Sequence, residues 1–335
     1  MAPKTIDTSR LMHHCDNGKT PSYADEPIRV LVSWTPSSRS NEALELAAWL
    51  GHNTRIKVRV VSAFVQPWHS ASLQKLGGKY KKWFKREATA CEKAVEEALE
   101  AAGLPRHQWA DKFSVLTDGP SKPALLTEAA EEFGADLVLL GAHQSAAKGR
   151  FLAGSTADAL LHYSPTPLGL TPRKVRLSKH GVTRVNFAFT DANTQKDDPA
   201  LVAAARLADH WQVPLRILAF SSTGLVDAPM NDKLDVAAEL TSAWREHSLA
   251  LLDVAREHLH EEFDDLEVST DIGCGNGWSG AVDSLKWKKG DLMCLGSSPQ
   301  GPIARVFIGS TATELLPHLG VPILALPTLD CQNAT

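Results

Sequence analysis

Cysteine is scarce in this chain, and what there is forms no pattern. The five residues Cys15, Cys91, Cys274, Cys294 and Cys331 are odd in number and scattered, with no C-x-x-C pair. That excludes a disulfide framework and a cysteine zinc site, and reads as reduced cytosolic thiols. His13-His14-Cys15 is an incomplete ligand set, so no metal site is expected. Positive charge is not in excess either. The 35 Lys and Arg stand against 39 Asp and Glu, a formal net charge of −4, which gives no general attraction for nucleic acid. No apolar run approaches the roughly 18 residues of a membrane span. The first residues lack the charged-then-apolar order of a secretory signal, so a cytoplasmic protein is expected. The sequence also lacks a Walker lysine motif, a nucleophile–base pair and an acidic cluster placed for magnesium. Asp118, Asp158 and Asp283 are dispersed, and an enzyme is not expected.

What the chain does have, it has twice. Gly141-Ala-His-Gln runs on to Gly154-Ser155, and Gly296-Ser-Ser-Pro runs on to Gly309-Ser310. In each copy a glycine follows a short apolar run, and a Gly-Ser pair follows thirteen residues later. Each Gly-Ser opens a helix-like segment. A strand, a glycine and a long loop ending on a helix N-terminus is how a backbone cradles an anion, because free N–H groups and the helix dipole point outward together. A serine at a helix start is more often a simple cap, and Thr311 with Glu314 fits a capping box. The functional reading rests on the whole arrangement recurring at one spacing.

The repeat extends far beyond these loops. Arg29-Val matches Arg184-Val, Asp136-Leu matches Asp291-Leu, and Arg150 matches Arg305. Gly154-Ser-Thr-Ala matches Gly309-Ser-Thr-Ala, and Pro167 and Pro172 match Pro322 and Pro327, each pair offset by 155 residues. A constant offset from first strand to last means two copies of one fold. Residues 1–26 read as a disordered tail, 27–172 as a first domain, 173–182 as a linker, 183–328 as a second domain and 329–335 as a tail. Each domain reads β-α-β-α-β-α-β-α-β. That predicts an α/β fold: two tandem flavodoxin/Rossmann-like domains, each a five-stranded parallel sheet with helices on both faces. Ligands of such sheets bind at the carboxyl ends of the strands, where the winding reverses. The first-strand ends, Thr35 and Thr190, are expected opposite the two glycine loops. The strand Pro167–Pro172, bounded by prolines, is expected at an edge or a strand boundary.

Three further stretches stand out. Lys79 to Lys85 is basic with interleaved aromatics, and is read as a solvated helix face with Trp83 and Phe84 turned inward. Gly273-Cys-Gly-Asn-Gly277 follows a third strand, not a first, so it is read as a flexible turn. Cys274 within it is a weak redox candidate.

The doubled pattern resembles the universal stress protein family in its tandem, two-domain form, over residues 28–328. Nucleotide-binding members carry G-x-x-G, nine residues, then G-S or G-T after the fourth strand. Gly141, Gly154-Ser155, Gly296 and Gly309-Ser310 fall at those positions. The resemblance implies a stress-response regulatory module that binds ATP or another adenine nucleotide, with or without Mg2+, in one or both domains. It implies contacts from Thr35, Ala63, Gly141, Gln144, Arg150, Gly154, Ser155 and Thr156 in the first domain. In the second it implies Thr190, Ala219, Gly296, Arg305, Gly309, Ser310 and Thr311. No catalytic residue is implied, and at most weak or residual ATP hydrolysis. It also implies pairing of the two domains through their fifth strands as an intramolecular pseudo-dimer, further homodimerisation, and a protein partner whose identity the sequence does not carry. No nucleic-acid or membrane partner is expected. Two departures bear on the ligand. The second glycine is Gln144 in one half and Pro299 in the other, and the family's first-strand aspartate is Thr35 or Thr190, with Asp191 one residue on. These leave open a scaffold of the same fold that binds partners and no nucleotide; of the two halves, residues 28–172 are favoured as the binding one.

Overall fold

A computed structural model describes residues 26–38, 40–66, 77–189, 198–221, 236–296 and 309–326. The expectations for both tails, Thr190, Asp191, Pro299, Arg305 and Pro327 lie outside the described residues.

The first half runs β1 (Ile28–Ser33), α1 (Glu42–Leu50), β2 (Ile56–Val65), α2 (Gly77–Ala101), β3 (Trp109–Gly119), α3 (Lys122–Phe133), β4 (Leu137–Gly141), α4 (Ser155–Tyr163) and β5 (Leu168–Thr171). The second runs β6 (Arg184–Phe189), α5 (Pro199–His210), β7 (Leu215–Ser221), α6 (Val236–Glu262), β8 (Val268–Cys274), α7 (Gly277–Asp283), β9 (Asp291–Gly296), α8 (Ser310–Leu315) and β10 (Ile323–Leu326). The strands are continuous apolar runs because both of their faces are covered: Val30, Leu31 and Val32 are successive in β1 and all buried. Helices end where the sequence provides for it. Gly134 closes α3 in the left-handed conformation, φ 61°, with its N–H on the helix carbonyls.

All ten strands form one sheet, in the order β3-β2-β1-β4-β5-β10-β9-β6-β7-β8. Within each half the strands are parallel. The order within the first half is 3-2-1-4-5, the Rossmann half-sheet, and this order makes the first and fourth strands neighbours. Winding reverses between β1 and β4, so the crevice opens at their carboxyl ends. The proline-bounded strand is the last of its own half but not an edge of the sheet. β5 lies antiparallel to β10, with Leu168, Gly169 and Leu170 opposite Ala325, Leu324 and Ile323. Its four residues are all buried.

One core lies on each face of the sheet. The first gathers α1, α2, α5 and α6 over residues such as Leu44, Val95, Leu201 and Leu259. The second gathers α3, α4, α7 and α8 over Leu126, Leu161, Val282 and Leu315. Both cores run through both halves.

Local features differ from the sequence reading in three places. In α2 the buried residues are Cys91, Val95, Ala98 and Leu99, while Trp83 is 41% exposed, not turned inward. Its ring packs on Phe64 and Tyr80 beside the sheet. The run Gly273–Gly277 is a close-packed turn. A side chain at Gly273 would stand 2.7 Å from the Ala281 carbonyl, so β8 and α7 meet backbone on backbone. Cys274 is exposed, and partial desolvation raises its thiol pKa, which disfavours the reactive thiolate.

The two repeat glycines are under different constraints. A β-carbon on Gly296 would stand 2.8 Å from the Ala200 β-carbon in α5, whereas one on Gly141 would meet only the Ser40 hydroxyl, at 3.5 Å. Gly296→Ala is expected to destabilise the protein by about 1–2 kcal/mol through overpacking. Gly141→Ala is expected to stay within about 0.5 kcal/mol of wild type. Urea unfolding of the two variants measures the contrast, and equal stabilities would contradict it.

Candidate functional site

The carboxyl ends of β1 and β4 open into a cleft of about 710 Å³. Its walls come from the turn Ser33 to Ser40, the loop leaving β4, and the starts of α3 and α4. Six residues singled out in the first half line it together: Thr35, Gly141, Gln144, Gly154, Ser155 and Thr156. Ala63 and Arg150 are not brought to it. Ala63 sits within β2, paired with Thr117 of β3.

The turn after β1 begins when Trp34 buries its ring and donates its indole N–H to Asn41 Oδ1 at 3.0 Å. Asn41 therefore does not cap α1 with its side chain. The Ser38 N–H bonds the Thr35 carbonyl at 2.8 Å, closing the turn and setting the Thr35 hydroxyl 3.3 Å from that of Ser37.

The loop after β4 is bonded to itself and pinned. The His143 N–H donates to Leu152 O at 2.8 Å, and the Ala146 N–H to His143 O at 2.9 Å. Phe151 is 1% exposed and anchors the loop in the core, a burial worth about 2–3 kcal/mol. Gly149, at φ 74°, turns its N–H to the Arg173 carbonyl at 2.6 Å, and the Arg173 N–H returns to Arg150 O at 3.0 Å. The Arg150 guanidinium leaves the cleft. It donates to the His318 carbonyl and, at 3.2 Å, to Asp283 Oδ1, both in the second half.

Gly154 is the N-cap of α4, at φ −84°, and no side chain caps the helix. The serine after it is thus not the cap that its type favours: Ser155 is exposed and lines the cleft. The first helical bond is from Asp158 N–H to Gly154 O, at 2.9 Å. The N–H groups of Ser155, Thr156 and Ala157 therefore precede any carbonyl the helix can offer them. The loop meets the helix start closely: a β-carbon on Gly154 would stand 3.2 Å from His143 Cδ2. The His143 Nδ1 accepts the Ser145 N–H at 3.3 Å and lies 2.7 Å from the Ser145 hydroxyl.

Sequence reasoning missed Lys122, the first residue of α3, which also lines the cleft. Its pKa is lowered from the ordinary lysine value by burial. The available signal was a lysine directly before Pro123, at a helix start where positive charge opposes the helix dipole. Among the described lining residues there is no Asp or Glu, while Lys122 and His143 are the ionisable side chains.

In the second half, Gly296 ends β9 and Gly309 caps α8, with Ser310 and Thr311 as its first residues. Ala219 is 6% exposed in β7, between Phe189 and Ile272. The expected capping box does not form: no side chain caps α8, and the Glu314 carboxylate accepts the Trp278 indole N–H at 3.0 Å.

Known proteins share this doubled plan. Residues 28–172 and 185–327 each match the model of the universal stress protein family. The chain is 29% identical over 304 residues to universal stress protein Rv2319c of Mycobacterium tuberculosis (strain ATCC 25618 / H37Rv), covering 90% of this chain and 100% of that protein. The same values hold for universal stress protein Mb2346c of Mycobacterium bovis. Among solved structures, a universal stress protein from Archaeoglobus fulgidus DSM 4304 is similar in fold. Its TM-score is 0.60 at 18% identity, covering 89% of this chain and 97% of that one. Among the described residues no helix is long and apolar enough to cross a membrane.

At the cleft rim, Glu42 accepts hydrogen bonds from the Ser40 hydroxyl and, at 2.9 Å, from the Lys174 N–H. Burial alone would raise its pKa. The two hydrogen bonds and the nearby Arg173 outweigh burial and hold it below the usual value. A pKa depressed by folding gives stability that is present above the unfolded-state value and lost as pH falls through the folded one. Unfolding free energy is therefore expected to drop more steeply below about pH 4.5 in wild type than in Glu42→Gln. Urea titrations across that range measure it, and parallel curves would remove Glu42 from the acid response.

Proposed function

The chain belongs to the universal stress protein family, and from that premise we propose that it is a regulatory module that takes an adenine nucleotide, ATP or a shorter relative, in the cleft of its first half. The observation that carries the reading is a convergence. The threonine turn after β1, the glycine loop after β4 and the uncapped N-terminus of α4 open into one space. Three outward N–H groups and the dipole of a nine-residue helix favour phosphate there. Hydroxyls from Thr35, Ser37, Ser38 and Ser40 line the opposite wall, suited to ribose and base edges. In this reading the module binds its ligand, and no catalytic residue is assigned. The cleft's companion in the second half carries Gly296, Gly309, Ser310 and Thr311 at matching places, so a second nucleotide is part of the same proposal.

Calorimetric titration with ATP and AMP tests the reading. Wild type is expected to bind ATP with a Kd on the order of micromolar. Gly154→Glu is expected to abolish binding while leaving thermal stability intact or raised. The backbone there suits any residue, and a carboxylate at a helix start interacts well with the dipole. Stoichiometry separates one live half from two. Absence of heat with ATP, AMP and adenosine alike would overturn the nucleotide reading in favour of a partner-binding scaffold.

A further inference from the structure

The described lining of the first cleft holds no acid and two ionisable side chains, His143 of the loop after β4 and Lys122. Lys122 lines it from the start of α3, facing the same space as the loop and helix start that would hold phosphate. Among the described residues no hydrogen bond or ion pair is made by its ammonium, and none of those lining the cleft is acidic. Three physical terms oppose a cation in that position. It is partly desolvated, it sits at the positive end of a twelve-residue helix, and it has no counter-charge. An anion offsets the last two, because the ligand supplies the missing counter-charge and is itself favoured at the helix start. The described lining also lacks the carboxylate that, with substrate phosphates, usually holds Mg2+. The second half departs at this point. The residue 155 positions on from Lys122 is Gly277, so only the first copy carries the charge.

We propose that Lys122 is the counter-ion for the ligand's phosphate chain, and that the first cleft takes a nucleoside polyphosphate without a divalent metal. The inference rests on the nucleotide reading above and adds to it the source of charge and the form of the ligand. It makes Lys122 a selectivity residue: it favours three phosphates over one and does nothing for the nucleoside. Because burial lowers the lysine pKa, affinity for ATP falls as pH rises through a value below the ordinary lysine range.

The test is titration of the full chain with ATP, adenosine and inorganic tripolyphosphate, each in EDTA and in excess Mg2+, for wild type, Lys122→Gln and Lys122→Arg. Wild type is expected to bind ATP in EDTA at least as tightly as in Mg2+. Lys122→Gln is expected to weaken ATP binding about tenfold or more and to leave adenosine within about twofold. Lys122→Arg is expected to restore most of the ATP affinity and to flatten its alkaline decline. Thermal unfolding confirms that each variant is folded. Unchanged ATP affinity in Lys122→Gln, or binding that requires Mg2+, overturns the inference while leaving the nucleotide reading in place. Binding of tripolyphosphate that depends on Lys122, with none of ATP or adenosine, overturns the nucleotide reading and keeps the lysine as an anion site. No binding of any of the three overturns both.

Discussion

The backbone pairing of β5 with β10 is the constraint on which the rest of this structure depends. A five-stranded parallel half-sheet ending on the buried strand Leu168–Thr171 would present an unpaired edge, which is a template for aggregation. Here each half covers the other's edge, and the two apolar strands become the centre of a ten-stranded sheet. The packing at that seam is shared. Gly169 sits opposite Leu324, and Leu139, Leu324 and Leu46 fill the space a side chain would take. From this one pairing follow the two continuous cores, since each face of the joined sheet carries helices from both halves over a single apolar layer. The connection between the halves is docked as well. Asn53 exchanges hydrogen bonds with the backbone of Val182, at 2.7 and 2.9 Å, and the Ser178 N–H bonds the Lys289 carbonyl. Arg150 then carries the seam into the binding loop, so the shape of the first cleft is set partly by Asp283 and His318 of the second half.

The two ends of the sheet divide their charges differently. At the amino ends, the buried carboxylates are hydrogen-bonded. Asp136 accepts the Arg29 backbone N–H at 2.7 Å, and the fully buried Asp291 accepts two bonds from the Arg184 guanidinium at 2.7 and 2.8 Å. A buried carboxylate persists only with such partners. At the carboxyl ends, helix N–H groups and one lysine face a polar cleft whose described walls hold no acid. The cleft without acids is at the carboxyl ends of the strands, which is where an α/β sheet places its ligands.

Much of this was legible in the residues. The 155-residue offset fixed the two halves, the element order and the positions of both glycine loops, because each rests on local pattern and spacing. Six of the eight first-half site residues come together, since the strand ends and the helix start are dictated by topology alone. What failed was side-chain direction. Arg150 reads like a phosphate ligand from inside its loop, yet its partners are 133 and 168 residues away and belong to the other half. Lys122 was overlooked because its meaning depends on which cavity α3 faces, and the sequence places it merely before a proline. Ser155 looked like a cap, but it is the first helical residue and the N-cap position falls on Gly154. Trp83 follows the amphipathic period of α2, yet its ring meets Phe64, Tyr80 and Phe84 and stays 41% exposed.

The two copies have diverged in a consistent physical sense. Val61 of the first half corresponds to Arg216 of the second, and Leu31 to Asn186. In the second half these polar residues bond each other at 2.7 Å inside the sheet face, with the Arg216 guanidinium over the Trp287 ring at 4.9 Å. The second half thus places a buried polar pair where the first half has two apolar residues. The helix whose start carries Lys122 in the first half begins at Gly277 in the second, at φ 67°, and spans seven residues against twelve. The first copy thus keeps an apolar sheet face beneath a charged cleft; the second puts its charge under the sheet face and a glycine where the cleft lysine stood. The topology repeats, but the lysine at this position stands in only one of the two copies.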